Sequence, residues 1–202
     1  MKNITSYEEL LEILNNKTNQ KVLMHACCAP CSTACLDVLK KGFKIDLFFS
    51  NSNIDKEEEF EKRYHELIKL NELFNDGKVI LDQYKPEEFY TKIKGLEHLG
   101  ERSQRCYECY KLRMEKACIY ALENGYDYFT TSLSLSPHKK AEWINEIGIE
   151  LANKYNMPFL YSNFKLRDGF KKSIEFSKQF DLYRQNYCGC HYSKIERGII
   201  NE

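Results

Sequence analysis

Val22-Leu23-Met24-His25-Ala26-Cys27-Cys28-Ala29-Pro30-Cys31 is the stretch that decides how this chain folds. Its first five residues are a short, mostly apolar run, which reads as a buried strand. Pro30 stands where proline is favoured, in a first helical turn, and the following pattern carries Cys35, Leu36 and Leu39 to a stop at Gly42. Ile45 to Phe49 then reads as a second strand. Strand, helix, strand is a βαβ unit, and parallel strands joined in this way cross over right-handedly in nearly all cases.

The alternation extends in both directions. Upstream, Ser6 to Asn16 is expected to be a helix, with Ser6 and Glu9 as a capping box and Leu10, Leu11 and Leu14 on one face. Downstream, the pattern predicts a charged helix over Glu57 to Phe74, a strand over Lys78 to Leu81 and a shorter helix over Pro86 to Ile93. It continues with a helix over Cys109 to Asn124 closed by Gly125, a strand over Tyr126 to Thr131, a helix over Ala141 to Tyr155 and a short final strand over Pro158 to Tyr161. After Asn163 the chain turns basic and aromatic, with a helix expected from Gly169 to Phe180. Repeated βα order argues for an open, mainly parallel sheet flanked by helices, with a helical C-terminal segment. At 202 residues, with no repeat or linker, one domain over 1–202 is expected.

Composition narrows the function classes. The start of the chain lacks the charged and apolar regions of a secretory signal, no apolar run is long enough to span a bilayer, and mean hydropathy is -0.59. A cytoplasmic location is expected. Lys plus Arg and Asp plus Glu both total 30, so a nucleic-acid partner would have to be held by a local basic patch.

Nine cysteines in such a chain need individual explanations. Cys35 and Cys118 lie in helical patterns among small and apolar neighbours and read as core. Cys27 and Cys28 follow the first strand directly, at its carboxyl end, where open α/β sheets bind ligands. Cys31 falls in the opening turn of the next helix, where free amides and the helix dipole stabilise a thiolate. Cys106 and Cys109 form a Cys-x-x-Cys at another helix start, so two thiol pairs could close a four-sulfur site. Four sulfurs suit zinc or an iron–sulfur cluster alike. Cys188-Gly189-Cys190, in polar surroundings, suits either a reducible disulfide or a two-thiolate metal clamp.

Taken together, six blocks resemble the QueH epoxyqueuosine reductases. They are His25 to Ser32, Asn51 to Ile54, Arg105 to Cys109, Phe129 to Lys139, Asp168-Gly169 and Tyr183 to Cys190. They run in the family's order from Leu23 to Ser193, and their combination is far more specific than any single Cys-x-x-Cys. One departure is Phe49-Ser50-Asn51-Ser52-Asn53-Ile54, where the family commonly has Tyr-Asn-Pro-Asn-Ile; both asparagines remain. The resemblance implies a single-domain Rossmann-like fold of the adenine nucleotide alpha hydrolase kind. It also implies reduction of epoxyqueuosine at the wobble position of tRNA anticodons to queuosine, independently of cobalamin. A [4Fe-4S] cluster carries over onto Cys27, Cys28, Cys106 and Cys109, and Cys188 and Cys190 become the redox-active pair. An additional mononuclear iron has Cys31, Cys188 and Cys190 as candidate ligands.

That reaction needs two electrons and two protons, and no Gly-rich dinucleotide fingerprint is present, so an external electron donor is expected. Tyr107, Tyr187, His191 and Asp37 are candidate proton sources. For the tRNA, Lys139, Arg105 and Arg184 are candidate substrate-binding residues, within a basic set that includes Arg102, Lys140, Lys165, Arg167, Lys171 and Lys172; Phe164, Phe170, Tyr183 and Tyr187 could stack on a base. Two other readings compete. One is an ATP-pyrophosphatase-like tRNA-thiolating enzyme, though Cys27-Cys28-Ala29-Pro30 replaces its phosphate loop. The other is a non-enzymatic zinc-binding adaptor.

Overall fold

A computed structural model describes residues 2–16 and 19–201. β1 (Lys21–His25) is central in a four-stranded, all-parallel sheet of order β3-β2-β1-β4, with β2 (Lys44–Phe49) and β4 (Tyr128–Thr131) on either side and β3 (Val79–Leu81) at the edge. Val22 pairs with Ile45 on one side and Tyr128 on the other, and His25 with Phe48 and Thr131. Strand alternation sends side chains to two different cores. Val22, Met24, Ile45, Leu47 and Phe49 pack on one face with α1 (Tyr7–Asn15), α2 (Ala29–Leu39) and α3 (Glu57–Phe74). Leu23, Phe48 and Phe129 pack on the other with α5 (Gln104–Glu123) and α6 (Ala141–Tyr155). The remaining helices are α4 (Pro86–Lys92), α7 (Gly169–Gln179), which lies against α2, and α8 (His191–Glu196). Because β1 pairs with β2 and β4, the chain order reverses beside β1, and its carboxyl end opens on the crevice where such sheets take ligands. Among the described residues no helix is long and apolar enough to cross a membrane.

Local chemistry sets the element ends. Ser6 Oγ accepts from Glu9 N at 3.1 Å, capping α1 as expected, while the Glu9 carboxylate reaches Thr5 N at 2.8 Å, one residue before the cap. α5 begins at Gln104, five residues earlier than the sequence suggests, after a turn in which Arg102 adopts φ 64°. Arg105, in its first turn, is buried by Glu196 and Tyr192. The expected strand over Pro158 to Tyr161 reduces to two single bridges, Phe129 with Phe159 and Ile4 with Leu160. Leu160 N donates to Phe129 O at 2.9 Å and Tyr161 N to Ile4 O at 2.9 Å, while Pro158 has no N–H and the Phe159 amide goes to Asn3, so each pairing stops at one bridge. α8 was not expected; six residues are too few to be helical alone. It is held by ion pairs from Arg105 to Glu196 at 2.7 Å and from Lys194 to Asp55 at 2.7 Å.

Candidate functional site

The loop leaving β1 is fixed by the loop leaving β4. Ser132 N donates to His25 O at 2.9 Å, Cys27 N donates to Ser132 Oγ at 3.0 Å, and that hydroxyl lies 3.4 Å from Cys27 Sγ. Cys28 then caps α2, its sulfur accepting from Cys31 N at 3.4 Å in the place usually taken by a Ser or Asp oxygen. The result is a compact triple: the sulfurs of Cys27, Cys28 and Cys31 all lie within 4.8 Å of one another. Cys27 and Cys28 Sγ are 3.9 Å apart. Two thiolates on one tetrahedral ion with 2.3 Å bonds would be about 3.8 Å apart.

Protons in this triple are unequally held. Donation from the Cys28 and Cys31 thiols, helped by the Lys139 and Arg113 cations, keeps Cys27 well below the usual thiol range despite burial. Burial and the neighbouring Cys27 push Cys28 up to about 12, and the shared hydrogen bond with Cys27 pushes Cys31 well above its ordinary value. One sulfur is therefore ready to be anionic at the N-terminus of α2, where the helix dipole favours it.

A cavity of about 210 Å³ opens over these three cysteines. Lys139, Arg63, Arg113 and the segment Arg184 to Cys188 complete its wall. A smaller space of about 30 Å³ adjoins it, lined by Cys106, Cys109, Cys188 and Cys190. Cys188 and Lys139 border both. Burial raises Cys106 and pushes Cys109 and Cys190 up to about 12. Burial would lower Lys139, but the sulfurs of Cys188, Cys27 and Cys31 outweigh it and raise the amine above its ordinary value. Seven of the nine cysteines thus face two adjoining spaces, and the other two, Cys35 and Cys118, are fully buried in the cores.

Cys188-Gly189-Cys190 hangs from a clamp on α3. Arg63 Nη1 donates to Cys188 O at 2.9 Å while its Nε pairs with Glu59 at 2.7 Å. Asp55 N donates to Gly189 O at 3.2 Å, and Gly189 takes φ 121°, with Ile54 and Arg63 so close that a Cβ would sit 3.0 and 3.1 Å from them.

Other expected site residues are placed variously. Arg184 borders the large cavity, with its guanidinium on Ser173 and Ser177 and 5.3 Å from the Phe170 ring. Arg105 lines the small space, but its guanidinium is engaged by Glu97 O, Glu196 and the Tyr192 ring, which makes it a support for α8. Of the four candidate proton sources, Tyr187 borders the large cavity. Tyr107 donates to Glu146 and Asp37 pairs with Lys172 at 4.0 Å, neither of them on the cavity wall; nor is His191, whose ring meets Tyr192. Phe170 and Tyr187 border the cavity, whereas Phe164 is packed in the core and cannot stack on a base.

The sequence did not single out Arg63 and Arg113, each 2% exposed. A signal was present: both stand within apolar helical stripes, Arg63 among Phe60, Leu67 and Leu70, and Arg113 among Tyr110, Met114 and Ala117. An arginine at such a position must have a buried partner.

Comparison with known proteins adds an independent finding. A family model described as epoxyqueuosine reductase QueH matches residues 22–196. The chain is similar to a Streptococcus pyogenes serotype M1 protein named epoxyqueuosine reductase QueH, 38% identical over 183 residues, 88% of this chain and 72% of the relative. Proteins of the same name are 39% identical in Staphylococcus epidermidis, over 89% of this chain and 78% of the relative, and 36% identical in Thermotoga maritima, over 87% and 91%.

Proposed function

The chain belongs to the epoxyqueuosine reductase QueH family, and from that premise we propose that it reduces epoxyqueuosine in the wobble position of tRNA anticodons to queuosine, the epoxide becoming an alkene. The observation that carries the chemistry is the convergence of seven cysteines on two adjoining spaces at the carboxyl end of a parallel sheet, beside buried cations. Such a donor set fits a soft, anionic metal–thiolate group.

Cys27, Cys28, Cys106 and Cys109 are the residues we assign to hold a [4Fe-4S] cluster. When bound, it supplies single-electron transfer and a Lewis-acidic iron. Loss of the epoxide oxygen as water consumes two electrons and two protons. Cys188 and Cys190 as a dithiol carry that count, ending as a disulfide that an external donor reduces again. Lys139 and Arg184 border the large cavity and receive the negatively charged substrate strand, with Phe170 and Tyr187 beside the entering base; Arg105 contributes by holding α8. Tyr187 is the proton source best placed on this wall. A tRNA substrate puts the enzyme in the cytoplasm.

The thiolating alternative needs free amides after β1 to cradle pyrophosphate. Here Cys27 N is taken by Ser132 and Cys31 N by Cys28, which argues against it. The close packing of Cys27, Cys28 and Cys31 favours a second reading, in which these three hold one ion, as an additional mononuclear iron or as zinc. Anaerobic purification followed by metal and sulfide analysis and an ultraviolet-visible spectrum separates the cases. We expect iron, acid-labile sulfide and conversion of epoxyqueuosine-bearing tRNA. Zinc without iron, in a chain that leaves such tRNA unchanged, would overturn the proposal.

A further inference from the structure

Three arginines are buried to 3% exposure or less, and their partners differ. Arg63 is paired with Glu59 and Arg105 with Glu196, each at 2.7 Å. Arg113 forms no ion pair with a carboxylate among the described residues. Its Nη1 lies 4.0 Å from Cys109 Sγ, its Nη2 donates to Asn51 Oδ1, and its Nε has no partner. The groups that favour its charge are the sulfurs of Cys109, Cys27 and Cys188. A guanidinium cannot shed its proton, and a buried charge without an opposite one is strongly unfavourable. An anion is therefore required beside Arg113, and sulfur is what faces it.

Asn51 extends the contact. Its Nδ2 donates to Ala26 O at 3.0 Å, directly before Cys27. Ala26, Asn51, Arg113 and Cys109 thus form one line of polar contacts between the loop after β1 and the first turns of α5.

We propose that Arg113 is the positioning residue of the metal–thiolate centre: through Asn51 it ties the Cys109 helix to the Cys27 loop, and its fixed charge offsets the negative charge that several metal-bound thiolates accumulate. The inference rests on the metal–thiolate reading above, but not on which metal is bound. It gives α5 two tasks on one face, a sulfur at Cys109 and, one turn on, the cation that balances it.

Cobalt(II) alone, added to the metal-free full-length chain without oxygen, is a suitable probe, because thiolate-to-cobalt charge-transfer absorption counts sulfur ligands and reports affinity. Arg113→Gln should weaken Co(II) binding by about tenfold or more and reduce the charge-transfer intensity per ion, and Arg113→Lys should restore most of both. Arg113→Met, which fills the slot without charge, is the second neutral variant should the glutamine chain not fold, and should behave as Arg113→Gln. Wild-type binding in the neutral variants, or a lysine variant as weak as the neutral ones, overturns the inference. Iron and sulfide content of the wild-type chain tests the cluster reading separately: an Arg113-dependent Co(II) site in a chain that never takes up iron would sink that reading and leave this one standing.

Discussion

At the scale of single residues, the polar groups beneath the thiols have fixed roles that pH should expose. His25 is fully buried under the cysteine loop, with Nδ1 2.8 Å from Thr131 Oγ1 and Nε2 3.0 Å from Ser50 O. A carbonyl can only accept, so Nε2 carries the proton and Nδ1 accepts from the threonine. The imidazole is neutral in the fold, its pKa lowered from 6.5 to about 3 by burial and by the Arg113 charge. The unfolded chain takes up a proton below about pH 6.5 and the folded one does not, so stability falls as pH drops from 6.5 towards 3. At pH 5 this loss should be about 2 kcal/mol. Denaturant unfolding between pH 5 and 7 should show the slope, and His25→Gln should flatten it; a mutant retaining the slope would place its origin elsewhere. None of this was legible beforehand, because His25 in an apolar run looks the same whether it is a ligand or a satisfied core residue.

At the scale of elements, strand and helix positions were readable wherever one period ran for several residues. β1, β2 and β4 and the long helices α3 and α6 lie where alternation or helical spacing put them. Elements fixed by tertiary partners were not readable: α8 depends on Arg105 and Asp55, from distant segments, and the segment after Pro158 divides its amides among Asn3, Phe129 and Ile4, so that its pairing stops at single bridges. The same limit applies to the cysteines. Spacing brought each pair into view, but only the caps and loop contacts gather Cys31 with Cys27 and Cys28 and bring Cys188 to the wall shared by both spaces. The Gly189 turn is the element on which that wall depends. Its φ of 121° is a conformation that side chains rarely adopt, and Ile54 and Arg63 leave a methyl group little room. Gly189→Ala should cost about 1–3 kcal/mol of stability through backbone strain alone. It should also lower reductase activity by moving Cys188 and Cys190. An alanine variant with wild-type unfolding free energy would show that the clamp on α3 does not hold the turn.

At the scale of the whole molecule, the balanced charge of the chain conceals a one-sided arrangement. The wall of the large cavity gathers Lys139, Arg184 and Arg197, with Glu101 as its one acidic residue among the described residues, paired with Arg197 at 3.1 Å, and Lys165 Nζ donates to Lys139 O at 2.8 Å from just outside. Arg102 braces the same loop, donating to Pro137 O at 2.7 Å and His138 O at 3.2 Å. Equal totals of acids and bases could not reveal this, since the basic residues come from segments that meet only when β4 lies beside β1. On the proposed reading, phosphates would meet this wall and the modified base would enter beside Phe170 and Tyr187, which border the same cavity. Lys139 and Lys140 test this directly, the first on the cavity wall and the second beside it, 3.7 Å over the Trp143 ring. Reversing both charges, Lys139→Glu with Lys140→Glu, should weaken tRNA binding and reduce the slope of log affinity against log salt by about 1 for each phosphate no longer neutralised. Binding measured from low to physiological salt gives both quantities. Unchanged affinity and slope would move the tRNA path to another face, whereas weaker binding with an unchanged slope would mean that the lysines shape the loop rather than touch phosphate.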